Sequence, residues 1–292
     1  MRLIINNYIQ LFLLILGFSV LLTSCNKDVD AKVITPADEV VDLHKLQEFT
    51  KGDYTFIVYK KDTGNLVVGY NEVYIQLKNN VTGKYAEDAS LSWKPLMHMP
   101  SMSHACPYST IQKVENTRTV YKGYFIFIMA SDDIDYWEIT YNYTNGKDTI
   151  VTAANRLTVN NTTGRVRYKS FKGSDNVNYF LALVDPATPH VGANDITACL
   201  YKKVDMLTFN PVENYTIQLD PRMPDMDNHT SPNNVNLTYN SASGIYKGKL
   251  NLTMTGYWKI NLIVRDASNT IQKGDSITST TGGSSIYFEL EF

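Results

Sequence analysis

Short runs in which apolar and polar residues alternate recur along most of the chain. Leu250-Asn251-Leu252-Thr253-Met254 is one such run, and Trp137-Glu138-Ile139-Thr140-Tyr141 and Trp258-Lys259-Ile260-Asn261-Leu262 are two others. A period of two places every second side chain on the same face, which is typical of a half-buried β-strand. No segment shows a long period of 3.6 residues, so the pattern predicts strands and turns.

Several landmarks between these strands occur twice, with an offset of about 124 residues. The matching pairs are Val68-Gly69-x-Asn71 with Val191-Gly192-x-Asn194, Met99-Pro100-x-Met102 with Met223-Pro224-x-Met226, Tyr121-x-Gly123 with Tyr246-x-Gly248, Met129 with Met254, and Trp137 with Trp258. A long unit present twice indicates duplicated domains rather than a solenoid. We therefore predict that Met99 superposes on Met223, Tyr121 on Tyr246 and Trp137 on Trp258.

Short strands separated by turn signals such as Asn145-Gly146 and Thr163-Gly164 predict the fold class. It is all-β, with two tandem antiparallel β-sandwiches of immunoglobulin-like type. We place the first sandwich at residues 51–160 and the second at residues 168–292.

An apolar segment opens the chain, from about Ile9 to Leu22, and ends at Leu22-Thr23-Ser24-Cys25. It is short for a membrane-spanning helix, which needs about 20 apolar residues, and no basic stop-transfer cluster follows it. The segment resembles the signal peptide of bacterial lipoproteins, in which the lipobox cysteine becomes the lipidated N-terminus. The resemblance implies a signal peptide at residues 1–24 and a lipid on Cys25. A single transmembrane anchor is the alternative.

The same resemblance implies a protein of the cell envelope, anchored to the outer membrane and facing the periplasm or the exterior. Residues 26–50 are charged and lack a clear pattern, so we expect residues 25–50 to form the lipidated cysteine and a tether. A flexible coil of that length would reach roughly 25–30 Å. The charged stretch Asn26–Asp30 loosely resembles surface-export signals of some bacterial lipoproteins, which favours the exterior.

Charge and motifs exclude several function classes. The chain has 27 basic and 29 acidic residues and no basic run, so nothing suggests nucleic-acid binding. No esterase, zinc-protease or phosphate-loop motif occurs, and we expect no enzyme activity. Beyond Cys25, only Cys106 and Cys199 remain, too few for a disulfide framework. A bridge between them is conceivable, but we place them in different domains and expect Cys199 to be a free, half-buried thiol.

Methionine, histidine and cysteine crowd into one loop, 97-MHMPSMSHACP-107. Thioether, thiolate and imidazole are the side-chain ligands suited to Cu(I). Pro100 biases the preceding residue towards an extended conformation, and a turn there would bring Met99 and Met102 to one side. His104 and Cys106 would share a face of an extended segment. The predicted soft-metal ligands are Met99, Met102, His104 and Cys106, with Met97 and His98 as possible additions.

A second loop holds Met223, Met226 and His229, interleaved with aspartates and without a cysteine. Carboxylates are harder ligands, so we expect an accessory metal site there. The alternative for both loops is structural, because methionine is also a flexible filler of apolar cores. For Met129, Met254, Trp137 and Trp258 we expect core packing.

The order of these landmarks, with a histidine near each Met-Pro-x-Met, resembles YtkA-like domains, which are related to FixH and are immunoglobulin-like. The resemblance covers roughly residues 50–292 and is closest in the second copy, over residues 221–258. It implies copper handling, for storage, tolerance or delivery, with a possible metal-transfer partner protein. Two other functions remain open: a surface or adhesion module with structural methionines, and a binder of haem or another ligand, since Met and His also serve as axial ligands.

Overall fold

The computed structural model describes residues 35–144, 149–278 and 281–292. The predicted signal peptide and the predicted lipidation site Cys25 lie outside these residues. Residues Pro36–Phe292 form one compact unit. In the part of the chain that the structure describes, no helix has the length and apolar character needed to cross a membrane.

The fold is all-β, as predicted. We call residues 36–160 the first half and residues 168–292 the second half. The strands of the first half are β1 (His44–Lys51), β2 (Tyr54–Lys60), β3 (Leu66–Val67), β4 (Gly69–Asn79), β5 (Ser90–His98), β6 (Ser103–His104), β7 (Gln112–Lys113), β8 (Tyr121–Phe127), β9 (Tyr136–Thr144), β10 (Thr149–Leu157) and β11 (Val159–Asn160).

The strands of the second half are β12 (Tyr168–Lys172), β13 (Asn178–Asp185), β14 (Gly192–Lys203), β15 (Phe209–Pro211), β16 (Thr216–Met223), β17 (His229–Thr230), β18 (Val235–Asn240), β19 (Ile245–Leu252), β20 (Tyr257–Arg265), β21 (Ile271–Gly274) and β22 (Tyr287–Glu291). Two short 3-10 helices accompany the strands, Asp38–Val40 and Pro224–Met226.

Two antiparallel sheets enclose the core of the first half. One has the order β1-β2-β4-β8-β7 and the other the order β10-β9-β5-β6. The predicted alternation is confirmed in β9, where Trp137, Ile139 and Tyr141 are buried and the residues between them are not. These three side chains join Phe56 and Phe125 in one core cluster, so the two sheets bury their facing sides against each other.

The second half follows the same plan with one continuous hydrogen-bonded path, β12-β13-β14-β19-β18-β16-β20-β21. The path closes around a second core cluster that contains Leu200, Tyr246, Trp258 and Ile260. Strand β18 pairs with both β19 and β16, which joins the two layers.

Strand register confirms most of the predicted duplication. Gly123 on β8 lies opposite Val73, and Gly248 on β19 lies opposite Ile196, so Tyr121 and Tyr246 occupy equivalent positions. A Cβ at Gly123 would lie 2.5 Å from the Trp93 ring, and one at Gly248 would lie 2.5 Å from a backbone oxygen. Close approach therefore explains the glycine of the Tyr-x-Gly landmark in both halves.

The predicted tether needs correction, because residues 36–50 belong to the first half. Strand β1 pairs along its length with β2, and Phe49 packs on the core. The Glu39 carboxylate accepts hydrogen bonds from the backbone N–H groups of Arg118 and Thr119 at 2.8 and 2.9 Å. Charged residues lie between the few apolar positions of this segment, so its sequence shows no alternation that would predict a strand.

The two halves meet through the outer faces of β8 in the first half and of β13 and β14 in the second. Ile126 packs there with Phe180, Cys199 and Tyr201. The hydroxyls of Tyr124 and Tyr201 lie 2.8 Å apart across the interface. Cys199 is therefore fully buried rather than half-buried, and both Cys199 and Cys106 are free thiols.

Candidate metal site in the first half

The end of β5 and the short return strand β6 bring a methionine and a histidine together. The register places Met97 opposite His104 on one side and opposite Trp137 on the other. Directly paired residues project to the same face of a sheet, so all three side chains point towards the core. Met97 is fully buried, and His104 is only 6% exposed.

The His104 ring contacts a backbone carbonyl through one nitrogen and a sulfur through the other. Its Nδ1 lies 2.9 Å from the carbonyl oxygen of Ala105, which can only accept, so Nδ1 carries the hydrogen. In the neutral ring, Nε2 then has a free lone pair, and it faces the Met129 Sδ at 3.2 Å. With the ring in this neutral form, two electron-pair donors face each other, which is an arrangement that a soft cation would stabilise.

Trp137 holds the partner of His104 in place. Its indole N–H donates to the carbonyl oxygen of Met129 at 3.0 Å. The Trp137 and His104 rings meet edge to face with centroids 5.4 Å apart. The donors of the pair therefore lie on β6 and just after β8, and a core tryptophan fixes the distance between them.

Two of the predicted ligands lie in very different surroundings. Met102 is 50% exposed at the tip of the β5–β6 hairpin. Cys106 is fully buried in the core cluster, and burial raises the pKa of its thiol well above the usual range. A cysteine must lose its proton to bind a metal, so the thiol is a poor ligand in this position.

His98 and Met99 follow Met97 but do not extend its contacts. Strand alternation turns His98 to the outer face, where its ring stacks on Tyr136 at 4.9 Å and its Nε2 lies 3.5 Å from Glu138. The N–H of Met99 donates to the Met102 carbonyl at 3.0 Å and closes the hairpin turn, and its side chain packs against the core.

The sulfur partner of His104 is therefore a residue that sequence reasoning assigned to core packing. Met129 is partly buried and packs against the core, as expected. The expectation did not include its contact with His104. A signal was present in the chain: Met129 and Met254 recur at the same distance after the repeated tyrosine. The recurrence marked a position common to both halves but not the histidine that it contacts.

Register also corrects one predicted superposition. Met223 pairs with His229 just as Met97 pairs with His104, so Met97 and not Met99 is the counterpart of Met223. The physical reason is a longer strand: His98 and Met99 lie between Met97 and Pro100, whereas Pro224 directly follows Met223. The predicted equivalence of Trp137 and Trp258 is supported, because both indoles donate to the carbonyl of the equivalent methionine at 3.0 Å.

The second half repeats this scaffold but positions its histidine differently. His229 is exposed, and its Nε2 lies 3.1 Å from the Thr253 hydroxyl rather than from a sulfur. Its ring centroid lies 6.3 Å from that of Trp258. Met223 is buried in the core, whereas Met226 is 53% exposed in the 3-10 helix.

Among the described residues, a soft-metal site would have to include methionine sulfur. Within the described ranges, no group of three or more His, Cys, Asp or Glu side chains is arranged so that it could hold a metal ion. The His104–Met129 pair, with buried Met97 cross-strand from His104, is the best candidate that the described residues offer.

Comparison with known proteins shows similarity to one family. Residues 172–262 match the YtkA-like family model, and they lie within the second of the two predicted copies. None of the curated proteins matches the chain.

Two solved structures show similarity at low identity. One is FdeC, a broadly conserved Escherichia coli adhesin, with 16% identity, a TM-score of 0.26, and coverage of 76% of this chain and 63% of that one. The other is a DUF4785 family protein from Legionella pneumophila, with 10% identity, a TM-score of 0.25, and coverage of 75% and 54%. The chain thus spans less than two thirds of the length of either protein.

Proposed function

We propose that this protein binds Cu(I) in its first half, between His104 Nε2 and Met129 Sδ, with Met97 as the neighbouring thioether. The observation that carries the proposal is the 3.2 Å contact between these two atoms. Metal–nitrogen and metal–sulfur bonds of about 2.0 and 2.3 Å at a tetrahedral angle separate the two ligand atoms by about 3.5 Å. A small outward movement of either side chain would admit the ion.

The surroundings of the pair favour a soft ion. Imidazole and thioether are ligands of Cu(I), whereas Ca²⁺ and Mg²⁺ require several oxygen ligands. The other ring nitrogen of His104 already donates to the Ala105 carbonyl, which is the usual second partner of a metal-bound histidine. Sulfur ligands in a buried setting suit holding a metal better than activating water, so storage, tolerance or delivery is the role proposed.

The proposed cellular setting is the bacterial envelope. The apolar leader that ends at Cys25 supports a lipid anchor in the outer membrane, with the metal site in the periplasm or outside. Delivery would require a metal-transfer partner protein. A Cys25→Ser variant tests the anchor: it should remain an unprocessed or mislocalised precursor, and normal mass with normal membrane fractionation would disprove lipidation.

The copper proposal is tested with the full chain in detergent, by anaerobic Cu(I) titration against a competing chelator. Met129→Leu keeps the volume of the side chain but removes its sulfur. We expect it to weaken Cu(I) binding at least about tenfold, the scale on which losses around a metal site are felt. Met254→Leu is the matched control in the second half and should change little.

X-ray absorption of the loaded protein should detect both sulfur and nitrogen bound to copper. The proposal is wrong if the wild type binds no Cu(I), or if Met254→Leu weakens binding as much as Met129→Leu. A protein that binds no Cu(I) but loses stability when its methionines are replaced by alanine would instead be a surface module with structural methionines.

A further inference from the structure

A cleft of about 620 Å³ opens between the two halves and is lined by aromatic side chains from both. Tyr70, Tyr108 and Tyr124 line the side of the first half, and Phe209 and Tyr239 line the side of the second. Each of the five is only partly buried, so part of each ring remains available to a ligand. The volume is within the range of small-molecule sites, roughly 300–1,000 Å³.

Ring contacts within each half, and one hydroxyl contact between the halves, hold several of these rings in position. Tyr70 and Tyr124 have ring centroids 5.0 Å apart, and the Tyr124 hydroxyl lies 2.8 Å from that of Tyr201. Phe209 meets Phe180 edge to face at 5.2 Å. A ligand would therefore meet rings that are already ordered, and its binding would lose little free energy to ordering side chains.

The cleft offers no free charge. Among the described residues that line it, the ionised side chains are Glu72 and Lys122, and their charged atoms pair at 3.0 Å. A phosphate, carboxylate or ammonium ligand would have to give up water without finding an opposite charge, which is unfavourable. The remaining polar lining consists of hydroxyl, amide and backbone groups, including Thr110, Gln112 and Ser241.

We infer that this tyrosine cleft binds a short neutral oligosaccharide. A sugar ring has apolar C–H faces, which pack on aromatic faces, and edges of hydroxyls that both donate and accept hydrogen bonds. Tyrosine supplies both an apolar ring and a hydroxyl, and serine, threonine and glutamine side chains also donate and accept. A proline-rich peptide also uses aromatic grooves. The sugar is favoured because donor–acceptor groups lie beside the rings at several points of the lining.

Isothermal titration of the full chain with maltotriose, cellotriose, mannotriose and triacetylchitotriose tests the inference, with a sialylated trisaccharide and a ten-residue polyproline as comparison ligands. At least one neutral trisaccharide should bind. Tyr108→Ser and Tyr239→Ser remove one ring from each side of the cleft, and each should weaken that binding about two- to tenfold. Tyr143→Ser is the control, since Tyr143 is also partly buried but packs with Tyr54, and neither lines the cleft.

Failure of every neutral trisaccharide to bind at millimolar concentration would overturn the inference. So would binding of polyproline or the sialylated sugar in their place, or an equal loss in Tyr143→Ser with an unchanged melting temperature. Met129→Leu should bind the sugar as the wild type does, which separates this site from the proposed copper site. The two proposals can therefore fail independently.

Discussion

The two halves share a scaffold but differ in what their histidine contacts. Each places a buried methionine opposite a histidine, and each uses a tryptophan N–H to hold the carbonyl of a second methionine. In the first half, His104 faces the sulfur of Met129. In the second, His229 faces the hydroxyl of Thr253. A duplicated framework can therefore retain its packing while a few loop residues change the partner of its histidine.

The loops explain the different positions of the histidines. In the first half, a tight turn closed by the Met99 N–H returns the chain so that His104 is buried. In the second, a 3-10 helix is followed by Asp227 and Asn228 in the left-handed conformation, with φ of 51° and 54°, and His229 remains exposed. Position 253 adds to the effect, since its counterpart in the first half is Ile128, which has no hydroxyl.

The largest expected effect separates buried from exposed methionines in both halves. Met97→Ala and Met223→Ala should each lower the free energy of unfolding by about 2–5 kcal/mol, because each leaves a cavity in a packed core. Met102→Ala and Met226→Ala should change it by no more than about 0.5 kcal/mol, since both side chains are largely exposed. Chemical denaturation measures all four, and a loss at Met102 equal to that at Met97, or at Met226 equal to that at Met223, would contradict the buried assignment.

A smaller effect on the free energy of unfolding is expected at alkaline pH, from the Cys199 thiol that lies between the halves. Burial raises the pKa of Cys199 to about 12, although a hydrogen bond with Tyr124 acts in the opposite direction. The unfolded thiol has a pKa of about 8.5, so the folded state retains its proton where the unfolded state loses it. Stability from this group is complete below about pH 8.5 and is lost as pH rises through the folded pKa.

Unfolding of the wild type and of Cys199→Ala at several pH values measures that contribution. Between about pH 8.5 and 10.5, the stability of the wild type should fall by roughly 2 kcal/mol more than that of the variant. Parallel pH profiles for the two proteins would show that Cys199 is not protected as the structure indicates. Comparison with the variant removes the titration of tyrosines that both proteins share.

Thr253→Ile tests whether the hydroxyl keeps His229 away from Met254. The change introduces the residue found at the equivalent position of the first half and removes the 3.1 Å contact with Nε2. Losing one hydrogen bond frees about 0.5–1.5 kcal/mol, so Cu(I) binding by the second half should strengthen up to about tenfold. The titration is best done in the Met129→Leu background, where an unchanged affinity would mean that the loop, not the hydroxyl, positions His229.

The smallest expected effect is that of replacing His98 on the affinity for Cu(I). Its ring lies on the outer face against Tyr136 and Glu138, away from the buried pair. His98→Ala should therefore change Cu(I) affinity less than about twofold, well within the effect of one weak contact. A loss as large as that of Met129→Leu would place His98 among the ligands and require a different loop conformation in the metal-bound protein.

The sequence by itself determined the all-β class, the duplication and the residue types available for a metal, although it missed strand β1. The alternation of apolar and polar residues along β9 and β20 indicates which side chains the sheet buries. This two-residue period does not depend on what the strand packs against. The repeated Tyr-x-Gly and tryptophan positions marked equivalent points of both cores for the same reason. Met97, His104, Met223 and His229 were all recognised as ligand candidates, because softness is a property of the side chain alone.

Only the tertiary structure decided which candidates meet. The His104–Met129 pair joins strand β6 to the segment just after β8, a strand of the other sheet, and no local pattern states the distance between the two residues. The one-residue alternation that buries Met97 also turns His98 outward, and the hairpin turn leaves Met102 in solvent. Register, turn geometry and burial are set by packing between segments far apart in the chain. Methionine therefore lies in the core at position 97 and in solvent at position 102, and histidine faces outward at position 98 but is a candidate ligand at position 104.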